Sequence, residues 1–319
     1  MHRNALSLVL VLLFCFWTSE VAAQFRTADA LTPTGSTEMP LTIDNDRIAV
    51  WSGGALVFVQ DRYSAAPIFR ILDRNGTQVS DFRFSIPGAA LINIYDNSVA
   101  RGSDGALAIV GTAYSDDSRG GMFVAWVSPD GQQQTIIRTS PFLPHAVTLA
   151  SDGTIWVAGQ EGRDTTRPLI RRYDKTGKLL GSFIPWSRLG TDPHTLPFVL
   201  SVLLPLQDGV LWYAPRAHTY FEFSSDGSVI ERFKSAPHPE HDLTFVAVCG
   251  DGGVFASTRI TSEGHHQTNW GIFTLDRQRR EWSLIPRNER WGRLLGCDGT
   301  GLATTTDHKT ISWLEPAGR

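Results

Sequence analysis

The chain has 319 residues, 42% of them apolar and 19% charged, with a formal net charge of −3. A chain of this size buries about 75% of its unfolded surface and needs no staples to hold a core. Near-neutral charge with no block of one sign argues against a dedicated nucleic-acid or anionic-membrane surface. The bias lies instead in turn formers and aromatics, with 29 Gly, 17 Pro and 10 Trp. Apolar residues alternate with period two far more often than with period 3.6, so the chain reads as all-β.

Met1-His2-Arg3-Asn4 is a short positive head, Ala5 to Trp17 an apolar run, and Val21-Ala22-Ala23 a small-residue tail. That is the layout of a signal peptide cut before Gln24, and the run is short for a bilayer span. The expected product is a secreted or periplasmic protein, residues 24–319, with no membrane span and acting as a monomer. Cleavage leaves two cysteines, Cys249 and Cys297. An exported protein can carry a disulfide, but spacing alone does not decide whether one forms.

From there one phrase recurs: "IDNDRIAVWSG" (43–53), "RGSDGALAIVGT" (101–112), "LASDGTIWVAGQ" (149–160), "PLQDGVLWYAP" (205–215), "VCGDGGVFAST" (248–258) and "LGCDGTGLATT" (295–305). Each has an apolar approach, an Asp usually followed by Gly, then alternating apolar residues. The anchors are Asp46, Asp104, Asp152, Asp208, Asp251 and Asp298. Trp51, Trp156, Trp212 and Phe255 fall at or beside one position of the expected second strand. A second phrase alternates with the first: "IFRILDRNGTQVSDF" (68–82), "MFVAWVSPDGQQQTII" (122–137), "LIRRYDKTGKLLGSF" (169–183), "TYFEFSSDGSVIERF" (219–233), "GIFTLDRQRREWSLI" (271–285) and a truncated "TISWLEPAGR" (310–319). It reads as a hairpin whose Gly supplies the positive φ of the turn. Leu72, Val127, Tyr173, Phe223, Leu275 and Leu314 hold one apolar position in it.

Hairpin, connection, hairpin makes four antiparallel strands, and aspartate spacings of 43 to 58 residues match one propeller blade. The expectation is a six-bladed β-propeller with four antiparallel strands per blade. The last copy stops where its outer strand should begin, so the N-terminal segment "QFRTADAL" (24–31) is expected to supply that strand and close the last blade. The third blade, "VTLASDGTIWVAGQEGRDTTRPLIRRYDKTGKLLGSF", resembles an NHL or YVTN-type propeller repeat in its Asp-Gly turn, second-strand aromatic and "Y-D-x-x-G-K-L" hairpin. That resemblance implies a six- or seven-bladed propeller and leaves function open.

Alternating strand direction puts both tight turns on one face and the long connections on the other. All eight histidines after the leader fall on the long-loop side. His145, His194, His238 and His241 precede inner strands; His218, His265, His266 and His308 lie between second and third strands. They are either solvated loop residues or a polar mouth over the channel, where His145, His194 and His241 could hold a divalent metal. Arg163 and Arg290 share that side and would suit an anionic or sugar-like ligand if they point inward. Trp186, Trp270 and Trp291 would either stack on a sugar or peptide or pack as lid residues. The Asp-Gly turns are explained by hairpins rather than calcium loops. Gluconolactonase-like propellers carry a Glu-Gly-Pro-x-Trp motif; "TEMPL" (37–41) offers Glu38 and Pro40 without the Gly or Trp. Amidating-lyase propellers, which bind zinc through His, give no residue-by-residue match.

Two functions remain at this stage. One is a binding or scaffolding propeller that takes a peptide, protein or glycan on its long-loop face; the alternative is a metal-dependent hydrolase or lyase using the same mouth. The cysteines sit two residues before Asp251 and one before Asp298. That offset turns the side chains apart, and two buried thiols are expected.

Overall fold

The computed structural model describes residues 30–43, 48–117, 119–190, 201–235, 243, 245–261, 268–286, 291–299, 301–305 and 307–317. In chain order the strands are β1 (Ala30–Glu38), β2 (Ile48–Ser52), β3 (Ala55–Gln60), the two-residue β4 (Tyr63–Ser64), β5 (Ile68–Leu72) and β6 (Gln78–Arg83). Then come β7 (Leu91–Arg101), β8 (Leu107–Tyr114), β9 (Gly120–Val127), β10 (Gln134–Arg138), β11 (Phe142–Leu149), β12 (Ile155–Glu161), β13 (Pro168–Tyr173) and β14 (Leu179–Pro185). The rest are β15 (Val202–Leu206), β16 (Gly209–Ala214), β17 (Thr219–Ser224), β18 (Val229–Lys234), β19 (Phe245–Val248), β20 (Val254–Thr261), β21 (Thr268–Asp276), β22 (Glu281–Leu284), β23 (Arg293–Asp298), β24 (Gly301–Thr305) and β25 (Thr310–Ala317).

β11–β14, β15–β18 and β19–β22 form four-stranded sheets, and β7–β10 accepts β4 as a fifth strand. The remaining sheet has eight strands, β2-β3-β5-β6 joined to β23-β24-β25-β1 by one parallel bridge between Trp51 and Gly296. The first strands touch their neighbours in cyclic order: β2, β7, β11, β15, β19, β23 and β2 again. Antiparallel sheets set radially around a shared axis make a β-propeller. Each sheet is apolar on both faces and buries them against two neighbours. One cluster, for example, gathers Trp156, Trp186, Trp212, Phe221 and Phe223 between β11–β14 and β15–β18. Leu72, Val127, Tyr173, Phe223, Leu275 and Leu314 are all buried, as their shared hairpin position requires.

The turns use their aspartates locally. Asp152 Oδ1 accepts the Thr154 amide at 2.9 Å, and Asp174 Oδ1 accepts those of Thr176 and Lys178 at 2.8 and 3.0 Å. The Ser224 hydroxyl and the Ser228 amide pull the Asp226 carboxyl down to about 2. These are Asx-type turns.

Three expectations need correction. Trp51 lies on β2, a first strand, not a second one; the turn that follows is Ser52-Gly53-Gly54-Ala55, and Asp46 lies outside the described residues. The closing strand takes in Ala30 and Leu31 of the expected segment but runs on to Glu38, paired antiparallel with β25 from Ala30–Ala317 to Glu38–Thr310; residues 24–29 lie outside the described residues. Pro33 makes that stretch look unlike a strand, but an edge strand tolerates proline at a bulge, and the register slips between Pro33 and Gly35. Finally, Cys249 and Cys297 form a disulfide with Cα atoms 5.2 Å apart. Counting from the aspartates misaligned them. Asp251 sits inside a turn that Cys249 opens, the Cys249 amide donating to Gly253, whereas Asp298 still pairs on its ladder with Gly301. The Gly250 amide donates to Gly299 at 2.7 Å and draws the two turns together.

Candidate functional site: the channel mouth

The axis is a narrow apolar shaft. Its cavity of about 110 Å³ is walled by first-strand side chains including Val50, Val99, Val147, Leu203, Val246 and Leu295. A second cavity of about 50 Å³ opens at the long-loop ends of four of those strands, lined by Ile48, Asp96, Asn97, Phe245 and Arg293 among others. Sites that enclose a small molecule run to roughly 300–1,000 Å³. Among the described residues, then, the mouth offers an open surface rather than an enclosing chamber.

The mouth owes its polar groups to a break in one strand. Pairing of β7 with β8 jumps from Ile94–Gly111 to Val99–Ile109, so Tyr95 to Ser98 loop out of the ladder. Asn97 takes φ +61° there, a conformation Asn tolerates better than most residues. The Ser98 hydroxyl donates to the Tyr95 carbonyl, and the Tyr95 hydroxyl lies 3.1 Å from Thr112 Oγ1. Burial raises the Tyr95 hydroxyl above its ordinary value, against the Thr112 bond. Bulges of this kind re-aim side chains; here Asp96 and Asn97 are thrown into the mouth. The loop after β3 folds over them, pairing Tyr63 with Asn93. It sets Arg62 Nη1 3.2 Å from Asp96 and its guanidinium 4.9 Å from the Tyr63 ring. Across the cleft the Arg293 guanidinium lies 5.1 Å from the Phe245 ring, and Phe245 meets Trp270 edge-on at 5.7 Å. An exposed carboxylate, an amide, a guanidinium and aromatic edges thus converge over an apolar floor.

Of the residues singled out from sequence, Trp270 joins this mouth. Trp186 and Trp291 are buried, 1% and 5% exposed, and pack in apolar clusters, so the packed alternative holds for both. His145 occupies a bulge of β11 between Pro144 and Ala146, and burial lowers its pKa to about 4, leaving it neutral at neutral pH. His218 closes the short 3-10 turn Pro215–Ala217 with φ +47° and accepts the Ser235 amide on its carbonyl. His308 clamps the chain leaving β1, its Nδ1 2.7 Å from the Ile43 carbonyl. Arg163 is exposed in the loop after β12. His194, His241, His266 and Arg290 lie outside the described residues, as do His238 and His265. Among the described residues no three His, Cys, Asp or Glu side chains group as a metal site. Sequence reasoning missed Asp96, Asn97, Phe245 and Arg293. The one available signal was Tyr95-Asp96-Asn97-Ser98, a polar break in an apolar alternation that no turn explains.

No family model and no curated protein matches the chain. Solved structures do. A protein of Bacteroides fragilis NCTC 9343 thought to be exported is 10% identical, with 92% of this chain and 97% of that one covered and a TM-score of 0.54. A streptogramin B lyase is 13% identical over 91% of this chain and 99% of that one, at a TM-score of 0.49. The β-propeller domain of the Trilobed protease from Pyrococcus furiosus is 9% identical over 88% and 83%, at 0.47. Likeness at such identity speaks to fold alone.

Proposed function

We propose that the chain is an exported six-bladed propeller, one domain over residues 24–319 of the NHL-like type, that binds a peptide, protein or glycan through its long-loop face as a monomer. Six blades are supported by the eight-stranded sheet, whose two antiparallel groups of four are joined by a single parallel bridge. The leader-like first 23 residues support export, and the Bacteroides fragilis neighbour is itself thought to be exported.

The observation that carries the binding reading is the mouth. Asp96 and Asn97 stand on a bulge in one sector, Phe245 and Arg293 in two others, over a cleft that among the described residues is too small to swallow a ligand. Such a surface suits the end or flank of a larger molecule laid across it. Arg293 would take an anionic group, Asp96 and Asn97 would take hydroxyl or amide donors, and Phe245 with Trp270 would offer an apolar edge. The test is an array of oligosaccharides and peptides probed with purified protein. A binder should lose about 2 kcal/mol, roughly thirtyfold in Kd, on Arg293→Ala or Asp96→Ala. Binders indifferent to both substitutions would place recognition elsewhere and sink the reading.

A further inference from the structure

Just past the turn, the pairing of three outer hairpins slips by one residue. On β6, β14 and β18 the residue left out of register is Val79, Leu180 and Ile230. These side chains are 61%, 43% and 61% exposed. On β14 and β18 the preceding residues, Leu179 and Val229, are 49% and 44% exposed as well. Their sheets are neighbours: β11 touches β15, and Arg232 Nη2 donates to the Arg188 carbonyl at 2.5 Å. Four large apolar side chains are therefore exposed at equivalent positions of the outer strands of adjacent sheets.

A bulge in an edge strand spoils the ladder that an incoming strand would need. The tips themselves are what the rim offers. Around them, Lys175, Lys178, Arg232 and Lys234 are exposed. The same strip also holds carboxylates: Asp174 and Asp226 keep their charge as they accept their own turn amides, while Glu231 is offset by Arg277 at 2.7 Å, which leaves Lys175, Lys178, Arg232 and Lys234 in excess. No block of like charge announces this in the sequence; the fold gathers cations from residues 175 to 234 onto one rim of a chain whose net charge is −3.

We propose that this rim docks on an anionic lipid surface, the four tips entering the interface and the lysines meeting the headgroups. Apolar tips flanked by cations fit a surface that is soft, apolar within and negative without. The proposed contact is peripheral; no described helix is long and apolar enough to cross a membrane.

Flotation of the purified protein with vesicles tests this, using phosphatidylcholine alone and phosphatidylcholine mixed with phosphatidylglycerol. The protein should float with the mixed vesicles only. The double variant Leu180→Glu with Ile230→Glu should cut the bound fraction roughly tenfold, and Lys175→Glu with Lys178→Glu should remove most of its salt sensitivity. Exposed positions leave the fold intact, which an unchanged melting curve checks. No flotation of the parent with anionic vesicles, or equal flotation of the apolar double variant, would overturn the proposal. So would a dimer in sedimentation velocity that the same variant dissolves, because the rim would then join two copies.

Discussion

Two neighbouring seams of the propeller share an apolar core but differ in what stands near their turns. Between β11–β14 and β15–β18 the contact is aromatic: the Trp156 ring lies 5.3 Å from Phe183 and 5.6 Å from Phe223. The β17–β18 turn rides directly on it, with Gly227 at φ +94° so close that a Cβ would stand 2.1 Å from the Phe183 ring. Between β15–β18 and β19–β22 the core is apolar too, with Tyr213 5.5 Å from Trp282, but an ionic cluster is set into it near the turns. Glu222 and Glu231 are direct cross-strand partners, an arrangement that repels. Arg277, from the turn of the next hairpin, donates to both, at 2.7 Å to Glu231. The Tyr220 hydroxyl also donates to Glu222; burial, reinforced by the Glu222 charge, holds it far above its ordinary value. The hairpin Asp276-Arg277-Gln278-Arg279-Arg280 has no glycine, and Arg280 itself takes φ +60°. The Arg280 guanidinium lies 5.8 Å from the Phe233 ring, and Arg277 reaches both carboxylates.

The sharpest way to break this contrast is to give the aromatic seam a side chain at its closest approach. Gly227→Val should lower unfolding free energy by about 4 kcal/mol, combining overpacking against Phe183 with a left-handed β-branched residue. Gly153→Ala is the control: φ is +77° but nothing lies within 4 Å, and the expected loss is about 1 kcal/mol. Equal losses in urea unfolding would show that turn conformation alone, not contact across the seam, governs these glycines. At the ionic seam Arg277→Ala should cost about 3 kcal/mol, because it strands two opposed carboxylates at a partly dry contact. Adding Glu222→Gln and Glu231→Gln should return much of that loss. If the triple variant is no more stable than Arg277→Ala, the arginine matters through its packing on Tyr220, 5.6 Å from the ring, rather than through charge.

The contrast also marks how far sequence carries. Strand, turn and buried position were legible because each is local: period-two alternation and a turn glycine lie within a dozen residues, and Leu72 through Leu314 are buried as the pattern demanded. What failed were relations between copies. Asp251 and Asp298 look equivalent on paper but serve turns of different length, which hid the disulfide. Trp51 matched Trp156 by spacing yet sits one strand earlier. The mouth was harder still. Asp96, Phe245 and Arg293 come from three sheets, and no spacing in the chain registers that they share an opening.

Acid separates the two seams further. Arg277 keeps its charge across the accessible range, but the first strand of the aromatic pair holds His145, whose pKa burial lowers from 6.5 to about 4. The folded state therefore binds the proton less well than the unfolded chain does. Between pH 6.5 and pH 4 the unfolded state carries more protons, so stability rises with pH across that window and falls as acid is added. The shift corresponds to about 2 kcal/mol lost by pH 5 relative to pH 7. His145→Gln removes the titration while keeping a polar side chain of similar length. The variant should show a shallower decline than the parent between pH 7 and pH 5 in urea unfolding, whatever its stability at neutral pH. Parallel declines would mean that His145 meets water in the folded protein and that its burial does not set the acid response.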